Sequence, residues 1–342
     1  MSVQGRAALD EVAAEWEALA ERTGAAPFSY PGWLGIWNRA FAEGAPEVLT
    51  VRDGRRLVGV LPVLRSGRTL RSPTNDHSHH FGLLAEDEQA AAELAAALFS
   101  DGPEGVALDH LDATTSDLPT VRGAAEAAGQ LVVSRPLAYN LLVRLDRDAA
   151  LPARLTRDVE RRRRRLEEHG AVSLEVDESA GRLEEGLRLE GSGWKEAKRT
   201  AILSQPATAS FYRKLAAWAE ENGWLRVNFL CLDARPIAFQ LALEQGGAHY
   251  FLKGGYDPDY HAHSPGKLLL HALLGRARER GLARFELLGD VEPWKLEWAD
   301  TVRVRLSVRT FVRSARGLTG YAAQAYLRPL LRRDRRLALL RA

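Results

Sequence analysis

Apolar side chains at positions 9, 12, 16 and 19 of RAALDEVAAEWEALAER repeat with the period of an amphipathic helix, predicted over residues 6–22. A second helix is predicted over Pro27–Ala42. The alternating pattern of VLTVRDGRRLVGVLPVLRSG then marks two strands joined around Asp53-Gly54, a hairpin signal. A turn-rich segment, RSPTNDHSHHFG, leads to an Ala/Leu helix over 86–99. VALDHLDA (106–113) reads as a buried strand, AAEAAG (124–129) as a helix end closed by Gly129, and YNLLVRL (139–145) as another strand.

The second half repeats this order. A helix over 209–223, closed by Gly223, precedes the strand–turn–strand unit LRVNFLCLDARPIAFQLALEQGG, in which Asp233-Ala234-Arg235 answers Asp53-Gly54-Arg55. A strand, a long turn and a helix fill 248–281, the counterpart of 70–99, and ARFELLGD (283–290) answers GVALDHLD (105–112). The period is one of 100–150 residues, too long for a solenoid. Two tandem α/β domains of similar topology are expected, with the basic stretch TRDVERRRRRLEEHG (156–170) as a solvated helix between them. The expected division is 1–150, 151–312 and a basic tail, 313–342.

Composition narrows the classes. The 342 residues carry 47 basic and 45 acidic side chains and 46% apolar residues, the profile of a globular chain. No apolar run approaches the ~20 residues that span a bilayer. Acidic residues near the start argue against a signal peptide, so a cytoplasmic protein is expected. The single Cys231 excludes an internal disulfide framework and a multi-Cys metal site. Residues 303–342 hold 11 Arg and one acid, so the basic excess is C-terminal and DNA is not an expected partner. On the tail YLRPLLRRDRRLALLRA, Leu330, Leu337 and Leu340 share a face opposite the arginines. That leaves two readings, a solvated tail or a peripheral membrane contact.

Six lysines stand among 41 arginines, all within 195–295, and Arg does not replace Lys where a compact charge is needed. Lys195 and Lys295 each follow a Trp, at Trp194 and Trp294. Each Trp would then be a wall beside a cation facing an anionic ligand, or a core residue beside a surface one. Lys253 precedes two glycines at a strand end. Ser264, Pro265, Gly266 and Lys267 open a helix as cap, first-turn proline, free N–H and ammonium, which serves either a plain capped helix or an anion. Acid–base candidates are Asp76 with His77, His79 and His80, then Glu190, Asp257, His261, His263 and Asp290. The run NDHSHH lacks a partner motif, and no metal is expected.

The segments LEGSGWKEAKRTAI, FYRKLAAWA, LDARPIAFQLAL, YFLKGGYDPDYHAHSPGKLLLHALL and ELLGDVEPWKLEWA resemble the BioF-like, CelD-type acetyltransferase family of the GNAT superfamily, over about residues 10–312. Its layout is similar to that of the Fem aminoacyltransferases. The resemblance implies two GNAT-like domains, each a mixed, mostly antiparallel sheet flanked by helices, the first shaping an acceptor cleft and the second binding the donor. It implies transfer of an acyl group from acyl-CoA to an amine or hydroxyl, in an envelope, polysaccharide or lipid pathway. Strands near 248–253 and 284–288 would splay around the acyl group, and Ser264, Gly266 and Lys267 would hold the donor's phosphates. Trp194, Lys195, Tyr256, Trp294 and Lys295 would line one cleft. Backbone N–H groups near Lys253–Gly255 would steady the oxyanion, Lys253 would be a catalytic residue, and Asp76 or Asp290 would be the base. The usual GNAT loop has a Gln/Arg and two close glycines, which Ser264-Pro265-Gly266 does not reproduce. A Fem-like aminoacyl-tRNA donor and a non-catalytic binding module are the alternatives.

Overall fold

The computed structural model describes residues 2–146, 151–192 and 201–327. Trp194, Lys195 and the amphipathic tail beyond residue 327 lie outside them. The described residues form two compact units, each built on a mixed, mostly antiparallel sheet with helices against it.

Unit 1 comprises residues 1–140, 289–291 and 302–342. Its strands are β1 (Ser2–Ala7), β2 (Ala45–Asp53), β3 (Arg56–Ser66), β4 (Thr69–Arg71), a short β5 (Leu84–Ala85) beside β3, and β6 (Gly105–Asp112). The order is β1-β2-β3-β4-β6, and β13 (Thr301–Phe311) closes it antiparallel to β6. Among the described strands of this unit, β4 and β6 are the parallel pair. Helices α1 (Leu9–Arg22), α2 (Pro31–Phe41), α3 (Glu88–Ala97) and α4 (Asp117–Ala127) supply apolar faces. Leu94 and Val121 from these helices join Leu49, Leu61, Leu108 and Val308 in one buried cluster.

Unit 2 comprises residues 141–288 and 292–301. It repeats the arrangement with β8 (Val172–Asp177), β9 (Leu225–Leu232), β10 (Arg235–Gln245), β11 (Ala248–Tyr256) and β12 (Arg284–Glu286). Here β11 and β12 are the parallel pair. The C-terminal end of β7 (Leu131–Arg144) closes the sheet antiparallel to β12. Helices α5 (Ala153–Glu167), α6 (Leu183–Gly191), α7 (Pro206–Glu221) and α8 (Pro265–Glu279) complete it. Phe211, Phe229, Phe239 and Phe285 are wholly buried or nearly so.

The units therefore differ from the contiguous stretches 1–150 and 151–312. Each takes its closing strand from beyond its own run of chain: β13 for unit 1, the end of β7 for unit 2. The first residues also depart from expectation. Helix α1 starts at Leu9, and Ser2–Ala7 pairs with Val48–Asp53, so the helical period there yields to an available sheet edge. Helix 27–42 divides into a 3-10 turn at Pro27–Ser29 and α2, since Pro31 fits a first helical turn but not an interior. Both hairpins form as expected. Gly54 (φ +58°) supplies the left-handed turn in unit 1, whereas Asp233 (φ +48°) and Ala234 (φ +65°) adopt it without glycine. The Asp233 carboxylate compensates by accepting the Ala171 N–H at 2.8 Å.

Asp117, half-buried in the first turn of α4, accepts the Leu83 N–H at 3.3 Å. Burial pushes its carboxyl up to about 6, aided by the Asp112 charge and opposed by the bonds from Leu83 and Thr115. The folded protein thus holds a proton that the unfolded chain, at 3.8, has released. This stabilisation is complete below about pH 4 and lost as pH rises through 6. Asp117→Asn is expected to gain about 1–2 kcal/mol over the native protein at pH 8 and much less at pH 4. Urea midpoints of both proteins at the two pH values check this.

Candidate active site

The parallel ladder of β11 and β12 is short. Ala248 faces Arg284, His249 faces Phe285 and Tyr250 faces Glu286, and there it stops, while β11 runs on to Tyr256. The pairing of β11 with β10 slips between Leu241 and Ala242, where Lys253 and Phe251 are the partners, so Leu252 is an extra residue. A bulge of this kind bends a strand and increases its twist. Phe251 and Trp294, both half-buried, come together beside it with ring centroids 6.3 Å apart.

Lys253 follows the bulge. Its ammonium lies 5.7 Å from the ring centroid of Tyr212, a buried residue of α7. Burial, and then the charge of Glu190, push the Tyr212 phenol well above its usual range, so it stays protonated. Glu190, 3% exposed on α6, accepts the Ile202 N–H at 2.9 Å. A cation, a neutral phenol and a buried carboxylate thus converge on the strand that leaves the ladder. The glycines after Lys253 have a packing reason. A Cβ on Gly255 would meet the Glu190 Cα at 2.4 Å, so Gly255 admits the backbone of α6.

The α8 turn differs from expectation in three ways. Ser264 has φ +52°, and its side chain does not cap the helix; its Oγ accepts from Arg162 of α5 at 3.0 Å. Its carbonyl receives the N–H groups of Lys267 (2.9 Å) and Leu268 (3.3 Å), so only that of Gly266 makes no hydrogen bond among the described residues. The Lys267 ammonium is paired with Glu297. The anion-binding capacity of the turn is therefore the Gly266 N–H beside Arg162 and Lys267. A left-handed Ser264 turns its own carbonyl into the cap. Tyr256 closes the turn from the strand side, its hydroxyl 3.1 Å from His261 Nδ1.

Lys295 overturns the expected Trp-Lys arrangement. It is buried, and its ammonium donates to the Leu288 carbonyl at 2.9 Å and pairs with Glu292 at 3.0 Å. Trp294 is the more exposed of the two and donates to Glu292. Lys295 therefore ties down the 288–292 loop, and its charge is answered from within.

Asp76 and Asp290, the carboxylates expected to act as base, both belong to unit 1 and are exposed. They share a neighbour that sequence reasoning passed over. His110 lies inside β6, 8% exposed, and the charges of Asp76 and Asp290 act on its ring. The signal was there: an imidazole within the otherwise apolar alternation of VALDHLDA. His80 stacks on Phe28 at 4.4 Å, and its ring nitrogens lie 3.1 Å from Arg305, which pairs with Asp112. Among the described residues no group of three or more His, Cys, Asp or Glu could hold a metal ion. None of their helices is long and apolar enough to cross a membrane.

Residues 153–296 match the family model described as "Acetyltransferase (GNAT) domain". No curated protein matches the chain significantly. Among solved structures, it is similar to the C-terminal domain of a protein described as a lysylphosphatidylglycerol synthetase from Agrobacterium fabrum. The two share 14% identity at a TM-score of 0.59, over 92% of this chain and 96% of that one. L-PGS from Bacillus licheniformis gives 12% and 0.58, over 91% and 95%. FemX gives 10% and 0.58, over 93% and 98%. At such identities these likenesses concern the fold. The GNAT-model match covers the stretch that holds α5, the bulged β11, the short β12 and the α8 turn.

Proposed function

We propose that the protein is a GNAT-type N-acyltransferase of the BioF-like, CelD-type branch. It would move an acyl group from an acyl-CoA-type thioester to an amine, or a hydroxyl, of an envelope, polysaccharide or lipid precursor. The observation that carries this reading is the ladder of β11 and β12 ending after three pairs, with a bulge at Leu252, inside the GNAT-matched segment. A strand that leaves its parallel partner offers backbone groups and a gap to an acyl chain.

In this reading the amine nitrogen attacks the thioester carbonyl carbon. The C–S bond breaks, the amide C–N bond forms, and the electron pair leaves on sulfur. The nitrogen's proton goes to a general base. The Lys253 ammonium steadies the oxyanion, and the coenzyme A sulfur departs as the thiolate, protonated by solvent. Gly266, Lys267 and Arg162 receive the donor's phosphates.

Calorimetry with coenzyme A tests donor binding. Gly266→Glu is the diagnostic variant, because a Cβ there meets nothing closer than 3.7 Å and an acid suits a helix start. Saturable binding by the native protein that is lost in a normally folded Gly266→Glu supports the site. Equal binding by both would move the phosphates elsewhere. An absence of binding by the native protein would contradict the thioester donor and turn attention to an aminoacyl-tRNA.

A further inference from the structure

We propose that unit 1 carries a binding site for a small organic cation, in a cavity beside the start of α1 and the flank of α2. Asp10 answers the cation's charge there, and Asn38 accepts one of its N–H groups. Three observations lead to this site.

The first is a cavity with an unanswered acceptor. A space of about 230 Å³ lies among α1, α2, β2 and β3. Its walls are largely apolar, built by Leu9, Leu34, Val48, Pro62, Val63 and Pro73. Asn38 lines it too, and the Asn38 Oδ1 is enclosed without a hydrogen-bond partner. A buried acceptor left unpaired costs about 1–3 kcal/mol. Water held in such a space needs about two to four polar partners, more than these walls offer. An apolar cavity of about 150 Å³ accommodates benzene, so this one has room for a ring and a short polar arm.

The second is the charge at its mouth. Asp10, exposed in the first turn of α1, lines the same cavity. Its carboxylate makes no hydrogen bond or ion pair among the described residues. Glu47, the other acid there, is taken up by Arg6 and Arg65. Arg39, the basic residue of α2, forms no ion pair with Asp10.

The third is an internal control. Helices α1 and α2 correspond to α6 and α7 of unit 2. Helix α1 opens with Leu9-Asp10-Glu11 and α6 with Leu183-Glu184-Glu185. Helices α2 and α7 each open with a proline, Pro31 and Pro206, just behind a 3-10 turn. Asp10 therefore answers Glu184, and Asn38, eighth in α2, answers Arg213, eighth in α7. In unit 2 these two side chains meet: the Arg213 guanidinium donates twice to the Glu184 carboxylate, the longer bond being 3.0 Å. Unit 2 thus closes the position with a cation of its own. Unit 1 keeps the acid, replaces the arginine by a short amide, and has a cavity beside them. The preference for acids at helix starts explains Asp10 and Glu184 alike. It does not explain an enclosed, unpaired amide oxygen in the same cavity as the unpaired acid.

A cation with N–H donors and an apolar body meets all three features. Its charge takes the part that Arg213 plays in unit 2, and one N–H goes to Asn38 Oδ1. Its hydrocarbon part displaces water from Leu34, Val63 and the prolines. An amide can present either end, and a donor selects the oxygen. A neutral alcohol would satisfy the amide and leave Asp10 unanswered. The site lies outside the GNAT-matched stretch and does not rest on the transferase reading.

The full chain, isotope-labelled at asparagine and titrated with benzylammonium chloride, tests this by NMR at the Asn38 side-chain amide. Benzyl alcohol, with sodium chloride matching the ionic strength, offers the same body without the charge. A saturable shift of the Asn38 signal is expected, with benzylammonium binding about fivefold more tightly than the alcohol. Asp10→Asn, a surface change, should remove that difference. Asn38→Arg, which copies the pairing of Arg213 with Glu184, should melt no lower than the native protein and bind no benzylammonium by calorimetry. Equal affinity for cation and alcohol, unchanged affinity in Asp10→Asn, undiminished binding in Asn38→Arg, or no saturable response would each overturn the site. No acyl donor takes part, so failure here leaves the transferase reading untouched, and failure of thioester turnover leaves the cation site untouched.

Discussion

Glu244→Ala is expected to destabilise the protein by about 3–5 kcal/mol, the usual loss when one partner of a buried ion pair is removed. Glu244 accepts from Arg226 at 2.9 Å and sits 3.0 Å from His249 Nδ1, and all three side chains are buried. Arg280 reaches the same carboxylate at 3.2 Å, and Gln240 Oε1 lies 2.9 Å from His249 Nε2. Alanine would leave a guanidinium and an imidazole enclosed without their acceptor. Burial raises the Glu244 carboxyl, but the His249 hydrogen bond and the charges of His249, Arg226 and Arg280 prevail and hold it to about 2, against 4.5 in the unfolded chain. Its contribution is therefore complete above about pH 4.5 and is lost as pH falls toward 2. Urea unfolding at pH 7 and pH 3.5 reads both effects: the gap between variant and native protein should narrow at the lower pH.

Lys253→Met is expected to lower acyl-transfer kcat by about 10²–10³-fold, the scale for removing one oxyanion donor. Methionine keeps most of the side chain's length and its contact with the Tyr212 ring while deleting the charge. The melting temperature should move little, since the ammonium meets the ring of Tyr212 at a half-buried position. A fall in kcat with KM nearly unchanged would separate stabilisation of the oxyanion from ground-state binding.

What the sequence disclosed followed from local physics. Asp53-Gly54 and Asp233-Ala234 marked both hairpins, because a two-residue reversal needs left-handed backbone. Gly129 (φ +71°) and Gly223 (φ +70°) marked helix ends for the same reason. The likeness of GVALDHLD to ARFELLGD revealed a duplication that extends to the strained sixth residue. What stayed hidden was non-local. No pattern in TVRVRLSVRTF tells that it closes the sheet beside β6, nearly 200 residues earlier. The site was partly legible. Lys253 emerged from its glycines, although Gly255 is small for the sake of α6. Lys295 misled because an exposed charge is the usual fate of lysine, whereas here Glu292 and the Leu288 carbonyl make its burial tolerable. Ser264 misled because cap preference presumes an extended backbone, and this serine is left-handed.

The most direct test of the central claim is thiol release from acetyl-CoA by the purified full chain, supplied with a panel of primary amines and assayed with and without prior RNase treatment. The account predicts amine-dependent release of free coenzyme A thiol, with a matching gain of acetyl mass on the amine, indifferent to RNase and sharply reduced in Lys253→Met. Amine modification that requires aminoacyl-tRNA and vanishes with RNase, while acetyl-CoA stays intact, would contradict it.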